Sequence, residues 1–232
     1  MKWKVQLDNS AYNHVTEKKI IVAAQTEQVI YIDESFGYES LIIQGCTGSR
    51  IIFKQVYTGT RDVLCKVTVI LEKDARLKHE LVVNTTAFIT CTYNFIAEKA
   101  GAEIISSGRI MLSQLAECKV NVEQRHHTAF TRSNLCFRTA LLDQAQYTYN
   151  GLINIAEKAV QVSAYQEDKV LVVSPQATAQ SVPSLQVLCN DVQCGHATAI
   201  AHINELHLFM LASRGLEQKV AKNIVMTGFL AY

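Results

Sequence analysis

Proline and glycine are scarce in this sequence, with two prolines and ten glycines among 232 residues. A charge bias is also missing, because 22 basic side chains nearly balance 21 acidic ones and leave a formal net charge of +1. A chain with so little excess charge has no strong field to draw it to nucleic acid or to an anionic membrane, so we expect neither as a partner. No apolar run approaches the length that spans a membrane.

Familiar catalytic signatures are absent as well. The sequence has no GxxxxGK[ST] phosphate-binding loop and no GxGxxG, GxSxG or HExxH motif, so we do not expect the chain to hydrolyse ATP itself. Its carboxylates are dispersed, and no pair suggests a general acid and base. A non-enzymatic role is therefore the stronger expectation. The weakest alternative is a hydrolase or lyase acting on polysaccharide. Such enzymes line a groove with clustered carboxylates, whereas the carboxylates of this sequence are dispersed.

The cysteines do not form the pattern of a disulfide framework. Their number is odd and no short spacing repeats, which is typical of a protein from a reducing compartment. The N-terminal stretch from Met1 to Asp8 lacks the apolar run of a signal peptide. We therefore expect a cytoplasmic protein. The seven cysteines are Cys46, Cys65, Cys91, Cys118, Cys136, Cys189 and Cys194.

Valine, isoleucine and threonine are frequent between Lys19 and Val187, which favours strands, because branched side chains suit a pleated surface. In the second half of the chain, any two successive gaps between strand centres add up to about 25 residues, a repeat length typical of solenoids. This near-constant sum predicts a flattened β-helix with two strands per turn, although a β-sandwich is an open alternative. The centres used are Val122, Cys136, Thr148, Gln161, Val172, Gln186 and Ala197.

The C-terminal residues predict two helices instead. Asn204 is a favourable N-cap for a helix that extends to Ser213, and Gly215 suits the position after a helix that requires positive φ. A second helix is predicted from Leu216 to Phe229. We therefore expect a β-helix core over residues 1–201 and a helical segment over residues 202–232, which either covers the open end of the core or presents a face to a partner.

Cys194-Gly195-His196 is the closest pairing of cysteine and histidine in the sequence. In a strand, Cys194 and His196 would point to the same face, and a thiolate beside an imidazole could form part of an iron or zinc site. The alternative is a small buried thiol next to a histidine with a structural role. No CxxC pair exists, so further ligands would come from elsewhere or from another chain. Other histidines suggest no site: His126 and His127 are expected at a solvated strand end, and His202 and His207 on the surface.

Five segments of the second half occur in an order that is familiar from one family. They resemble its NGLIKVAP, AYQ, PQLEI, DDVKCSH and LFYLRSRG segments, and the family is SufB/SufD, the scaffold subunits of the SUF iron–sulfur cluster assembly machinery. The resemblance covers about residues 120–230. The segments here are Asn150–Ala156, Ala164–Gln166, Pro183–Val187, Asn190–His196 and Leu208–Gly215.

The resemblance implies a mainly β fold, a right-handed parallel β-helix with two strands per turn and a short C-terminal helical segment. Members of the family pair their cores edge to edge and bind an ABC-type ATPase, SufC, through the C-terminal helical region. By this resemblance, a SufC-type ATPase would contact Asn204, Phe209, Arg214 and Gly215. The chain itself would be a non-enzymatic scaffold.

The resemblance also implies that His196 and Cys194 contact a transient iron–sulfur cluster at the paired interface. Ala177 stands where SufB-type members carry an essential cysteine, in their NCGAHTFP segment, so the chain is SufD-like and would not complete a SufB-type site alone. Usual members carry an N-terminal helical domain before the core, whereas this sequence starts almost directly in β-rich sequence. The pairing partner is either a SufB-type paralogue or a second copy. The alternative function is a homodimeric β-helix that binds metal or a cluster without a SufB partner.

Overall fold

The computed structural model describes residues 3–6, 17–33 and 40–231. Fifteen strands and two helices follow one another in these ranges. The strands are β1 (Trp3–Gln6), β2 (Glu17–Val22), β3 (Glu27–Asp33), β4 (Ser40–Gly45), β5 (Arg50–Tyr57), β6 (Val63–Leu71), β7 (Arg76–Thr85), β8 (Phe88–Ala97), β9 (Glu103–Leu112), β10 (Glu117–His126), β11 (Arg132–Leu141), β12 (Gln146–Ile155), β13 (Val162–Val172), β14 (Thr178–Val187) and β15 (Val192–His202). The helices are α1 (Glu205–Ala212) and α2 (Gln218–Leu230).

The strands alternate between two parallel sheets as the chain proceeds. The odd-numbered strands form an eight-stranded sheet, which we call sheet A, and the even-numbered strands form a seven-stranded sheet B. One strand from each sheet makes one coil, and each coil stacks on the previous one. This topology confirms the parallel β-helix with two strands per turn. It excludes the β-sandwich, whose sheets are antiparallel.

The predicted length of the coil is wrong in the second half of the chain, where the coils are longer. One coil separates Glu117 from its partner Gln146, and the next separates Gln146 from Thr178. The difference arises because Gln161 and Val172 are not the centres of two strands. They are a turn residue and the last residue of the single strand β13.

The turns from sheet B to sheet A stack as regularly as the strands. Each of the turns at Asp74, Gly101, Phe130 and Gln161 holds one residue with a positive φ, between 56° and 78°. The backbone N–H of Asp74 donates to Ala100 in the next turn, that of Gly101 donates to Phe130, and that of Phe130 donates to Val160. Position 101 favours glycine on two grounds, since its φ is positive and a Cβ there would overlap the Asp74 carboxylate. These bonds keep successive coils in register.

The core lies between the two sheets, where alternate side chains of each strand point inward and are buried. This alternation is what parallel strands with one face toward an interior require. Most of the buried side chains are aromatic or branched aliphatic. The largest that are fully buried include Tyr93, Tyr147, Tyr149, Phe53, Phe95 and Phe137.

The two helices pack on the outer face of sheet A, near the last coil. Leu208 of α1 and Met226 of α2 form an apolar cluster with Leu171 of β13. Asn204 is the N-cap of α1, and its side chain accepts a hydrogen bond from the N–H of Leu206 at 2.9 Å. Gly215 has a φ of 87°. Both predicted ends of the first helix are thereby confirmed. Within the described ranges, no helix is both long and apolar enough to cross a membrane.

Candidate functional site

The last coil, formed by β14 and β15, is the open end of the β-helix. Each of these strands is the final strand of its sheet, so one backbone edge of each has no neighbouring strand within residues 3–6, 17–33 and 40–231. Two inward-facing apolar side chains, Leu185 and Ile200, are consequently 40% and 46% exposed. An apolar interior that ends in exposed strand edges is a surface that another chain can cover by continuing the sheets.

Cys194 and His196 lie on this coil and share its inner face, as the sequence predicted for a strand. In β15, Cys194 pairs with Ala164 and His196 pairs with Gln166, and these two residues of β13 are buried inside the coil. Cys194 is half-buried against an apolar cluster that includes Cys189, whereas His196 is exposed. Burial raises the pKa of the Cys194 thiol. The thiol therefore needs a bound cation to become a thiolate ligand.

The ligand set on this chain is incomplete. Among the residues that the structure describes, no three side chains of histidine, cysteine, aspartate or glutamate are grouped so that they could hold a metal ion. Iron–sulfur clusters and structural zinc ions usually have four protein ligands. Cys194 and His196 have the chemistry of two ligands of such a site, and a complete site would need further ligands from outside the described part of the chain.

The prediction for the adjacent histidines at the end of β10 is wrong for one of them. His126 is fully buried, and its two ring nitrogens hydrogen-bond Thr131 at 2.7 Å and Ser133 at 2.8 Å. Burial lowers its pKa to about 4. His127 is exposed beside Glu98, with 2.8 Å between Nδ1 and the carboxylate. The side chain of His126 points inward because it occupies the same alternate positions as the buried apolar residues of β10. The structure confirms that His202 and His207 are exposed.

A buried polar group lies beneath the last coil, and the sequence analysis missed it. The phenol of Tyr147 donates to Asp168 at 3.0 Å. Gln166 accepts from Tyr149 and from Gln124, both at 3.4 Å. Burial raises the pKa of Asp168 to about 6, although Ser181 and Tyr147 lower it in part. The alternation along β13 could have identified these residues. Gln166 and Asp168 occupy the same alternate positions as the buried apolar residues of the strand, so their side chains point inward.

The helices expose an apolar face beside the last coil. On α1, Leu206, Phe209 and Met210 are 62%, 70% and 47% exposed. Their spacing of three and four residues puts them on one side of the helix. On α2, a shallow groove of about 350 Å³ is lined by Val220, Asn223, Ile224, Thr227 and Gly228. Of the other predicted partner contacts, Asn204 and Gly215 shape the ends of α1, and Arg214 is exposed.

Comparison with known families and proteins gives a consistent result. The family model described as "SUF system FeS cluster assembly, SufBD core domain" matches residues 48–229. The iron-sulfur cluster assembly protein SufD of Escherichia coli is 27% identical over 114 residues, which are 49% of this chain and 27% of that protein. The SufD protein of Bacillus subtilis is 35% identical over 89 residues, which are 38% of this chain and 20% of that protein.

A plant protein shows the same similarity over a longer segment. The chloroplastic protein ABCI7 of Arabidopsis thaliana is 25% identical over 194 residues, which are 69% of this chain and 40% of that protein. The matched segments thus span between one fifth and two fifths of the length of these three relatives.

Proposed function

This chain belongs to the SufBD family of SUF iron–sulfur cluster assembly, and we propose that it is a scaffold subunit that does no catalysis itself. The observation that carries this proposal is the open last coil, where Cys194 and His196 lie on the inner face of β15, a strand whose far edge no described strand covers. The two parts of the chain have separate roles. The core, residues 1–201, pairs with another core, and the helical segment, residues 202–232, binds an ATPase.

Pairing would complete the site. A second core that continues sheets A and B would cover Leu185 and Ile200, which are large apolar side chains with exposed area. It would also bring further ligands to Cys194 and His196. An iron–sulfur cluster assembled there would be cargo, held while it forms and then passed on. Ala177 replaces the cysteine of SufB-type members, so a SufB-type paralogue is the partner that would supply the thiolate this chain lacks.

The state of the cysteine thiols supports a proposal for the cellular compartment. All seven cysteines are free in the structure, which suits a reducing compartment, and we propose the cytoplasm.

The exposed apolar face of the helices is the proposed contact for a SufC-type ATPase. Leu206, Phe209 and Met210 have the spacing with which a helix lies in a groove of a partner. The ATPase would supply the phosphate-binding loop that this sequence lacks.

Co-purification with a SufC-type ATPase tests this contact. Phe209→Ser should weaken the complex at least tenfold, because exposed aromatic side chains often anchor interfaces. Phe88→Ser is the matched control, since Phe88 is 54% exposed on β8, away from the helices. Wild-type binding by Phe209→Ser, or equal losses in both variants, would contradict docking through this face.

A homodimer without a SufB-type partner is the second candidate. Two copies paired about a two-fold axis would bring together two copies of Cys194 and of His196. Two thiolates and two imidazoles are a known ligand combination for one iron–sulfur cluster. Anaerobic reconstitution of the chain with iron and sulfide would then give charge-transfer absorption that Cys194→Ser removes.

A further inference from the structure

Buried polar atoms without a hydrogen-bond partner are concentrated beneath the last coil. Among the described residues, five such atoms lie in the interior of the last coils. Unpaired buried polar atoms are rare in folded proteins, because each loses its hydrogen bonds to water without replacement, and their clustering calls for a physical reason. The five are Gln124 Oε1, Thr139 Oγ1, Gln166 Nε2, Asp168 Oδ2 and Ser181 Oγ.

Asp168 is the only carboxylate of the group, and its two oxygens have different surroundings. Oδ1 accepts the phenol hydrogen of Tyr147 at 3.0 Å, which anchors the side chain. Oδ2 is buried and has no hydrogen-bond partner among the described residues, although the Ser181 hydroxyl is near enough to influence the carboxylate. Asp168 itself is 1% exposed. The structure therefore fixes a buried carboxylate oxygen that makes no hydrogen bond of good geometry with a described donor, although the Ser181 hydroxyl lies close to it.

The last coil places His196 next to this acceptor. In the parallel register of β13 and β15, His196 lies directly above Gln166, and Thr198 lies directly above Asp168. His196 and Thr198 share the inner face of β15, so the imidazole is one inward position away from the carboxylate. His196 is exposed because no described strand covers β15 on the side away from β13. Covering the open end would confine its ring to the space above Gln166 and Asp168.

We infer that Asp168 is a positioning residue for His196, whose ring N–H donates to Asp168 Oδ2 and whose other nitrogen faces the iron. This inference rests on the function proposed above. A neutral imidazole has one N–H and one lone pair, so fixing the N–H on a carboxylate directs the lone pair toward the metal. Histidines that bind metals almost always donate their second nitrogen in this way, and loss of the outer partner typically weakens metal binding about 10–100-fold.

Two measurements on the purified full chain test the inference, with Co²⁺ as the probe. Asp168→Asn keeps the shape of the side chain but replaces the carboxylate by an amide. Glu167→Gln is the matched control, because Glu167 is the preceding residue on the outer face of the same strand, where it pairs with Lys169 at 2.7 Å. His196→Ala reports whether the imidazole binds Co²⁺ at all. The thermal midpoint of each variant shows that it has folded.

We expect Asp168→Asn to weaken Co²⁺ binding by about 10–100-fold while Glu167→Gln leaves it unchanged. In metal-free protein, nitrogen NMR at about pH 8 should show one dominant His196 tautomer in the wild type and a mixture in Asp168→Asn. A purely structural role of Asp168 would not change the tautomer.

The possible failures can be told apart. If His196→Ala weakens Co²⁺ binding and Asp168→Asn does not, the positioning role is wrong and the proposed site stands. If His196→Ala has no effect, the proposed site is wrong and the inference falls with it. If the His196 tautomer is the same in the wild type and in Asp168→Asn, the inference is overturned even where Co²⁺ binding is too weak to measure.

Discussion

At the scale of single residues, His79 is a histidine enclosed in the middle of the β-helix. Its ring nitrogens hydrogen-bond Ser106 at 2.8 Å and Gln55 at 3.0 Å. The ring stacks on Phe53 with centroids 5.1 Å apart. Burial lowers the pKa of His79 to about 3. The folded protein therefore holds this histidine neutral at a pH where the unfolded chain would bind a proton.

The sign of the pH dependence follows from this difference. The stabilisation that His79 contributes is complete above the unfolded pKa of about 6.5 and is lost progressively as the pH falls toward 3. His126, with a pKa of about 4, acts in the same direction. Asp168 opposes them between about pH 6 and its unfolded value, because the folded state binds its proton first.

A comparison of the wild type with His79→Gln isolates the contribution of one residue. The glutamine can still hydrogen-bond Ser106 and Gln55 but does not titrate. Below about pH 6.5, the difference in unfolding free energy between the two proteins should shift in favour of the variant by up to about 1.4 kcal/mol per pH unit. Urea unfolding at several pH values measures it. A difference that is independent of pH would show that His79 is protonated in the folded protein.

At the scale of elements, the packing of α1 on sheet A depends on one inward leucine. Leu208 is 4% exposed within the cluster that joins the helices to β13, whereas Leu206, on the same helix, is 62% exposed. Leu208→Ala should cost about 2–5 kcal/mol of local stability. The same change at Leu206 should cost less than about 0.5 kcal/mol.

Hydrogen exchange of the backbone amides measures this effect, because it reports opening of the helices separately from the strands. We expect faster exchange in α1 and α2 of Leu208→Ala and unchanged exchange in β7–β11. Equal exchange rates for Leu208→Ala and Leu206→Ala would mean that the helices do not depend on this contact.

The same elements show how far sequence reasoning reaches. In β6, Val63, Cys65, Val67 and Val69 recur at every second position, a pattern that indicates a strand from the sequence alone. Asn204 and Gly215 act at the ends of α1 as predicted, because caps and positive φ favour particular residue types. The turn at Gln161 escapes prediction, since its positive φ belongs to a residue type that carries no turn signal.

For the candidate site, the local sequence predicts the placement of the residues on β15 but not that of the residues on β13 beneath it. Cys194 and His196 share a face because they are two residues apart in a strand, which alternation predicts. Asp168 lies one coil below them and one inward position further along, beneath Thr198, only because the chain returns to the same position one coil later. Such a contact depends on the exact length of the coil, and the predicted length is wrong.

At the scale of the whole molecule, the features on which the proposed function rests lie toward one end of the β-helix. In the last coil, β14 and β15 each have an edge that no described strand covers, and Cys194 and His196 lie on the inner face of β15. Helix α1, with its exposed apolar face, follows β15 directly along the chain. The central claim is that this end pairs with another core and so completes the site.

The most direct test is the molar mass in solution, by size exclusion with light scattering, of the chain alone and mixed with a SufB-type chain. We expect a species with two cores in at least one of these samples. Ile200→Lys, at a position 46% exposed on the inner face of the last coil, should abolish it. Ile105→Lys, at a position 44% exposed on the outer face of β9, should leave it intact. A monomer in both samples, or a two-core species that survives Ile200→Lys, would contradict pairing through the last coil.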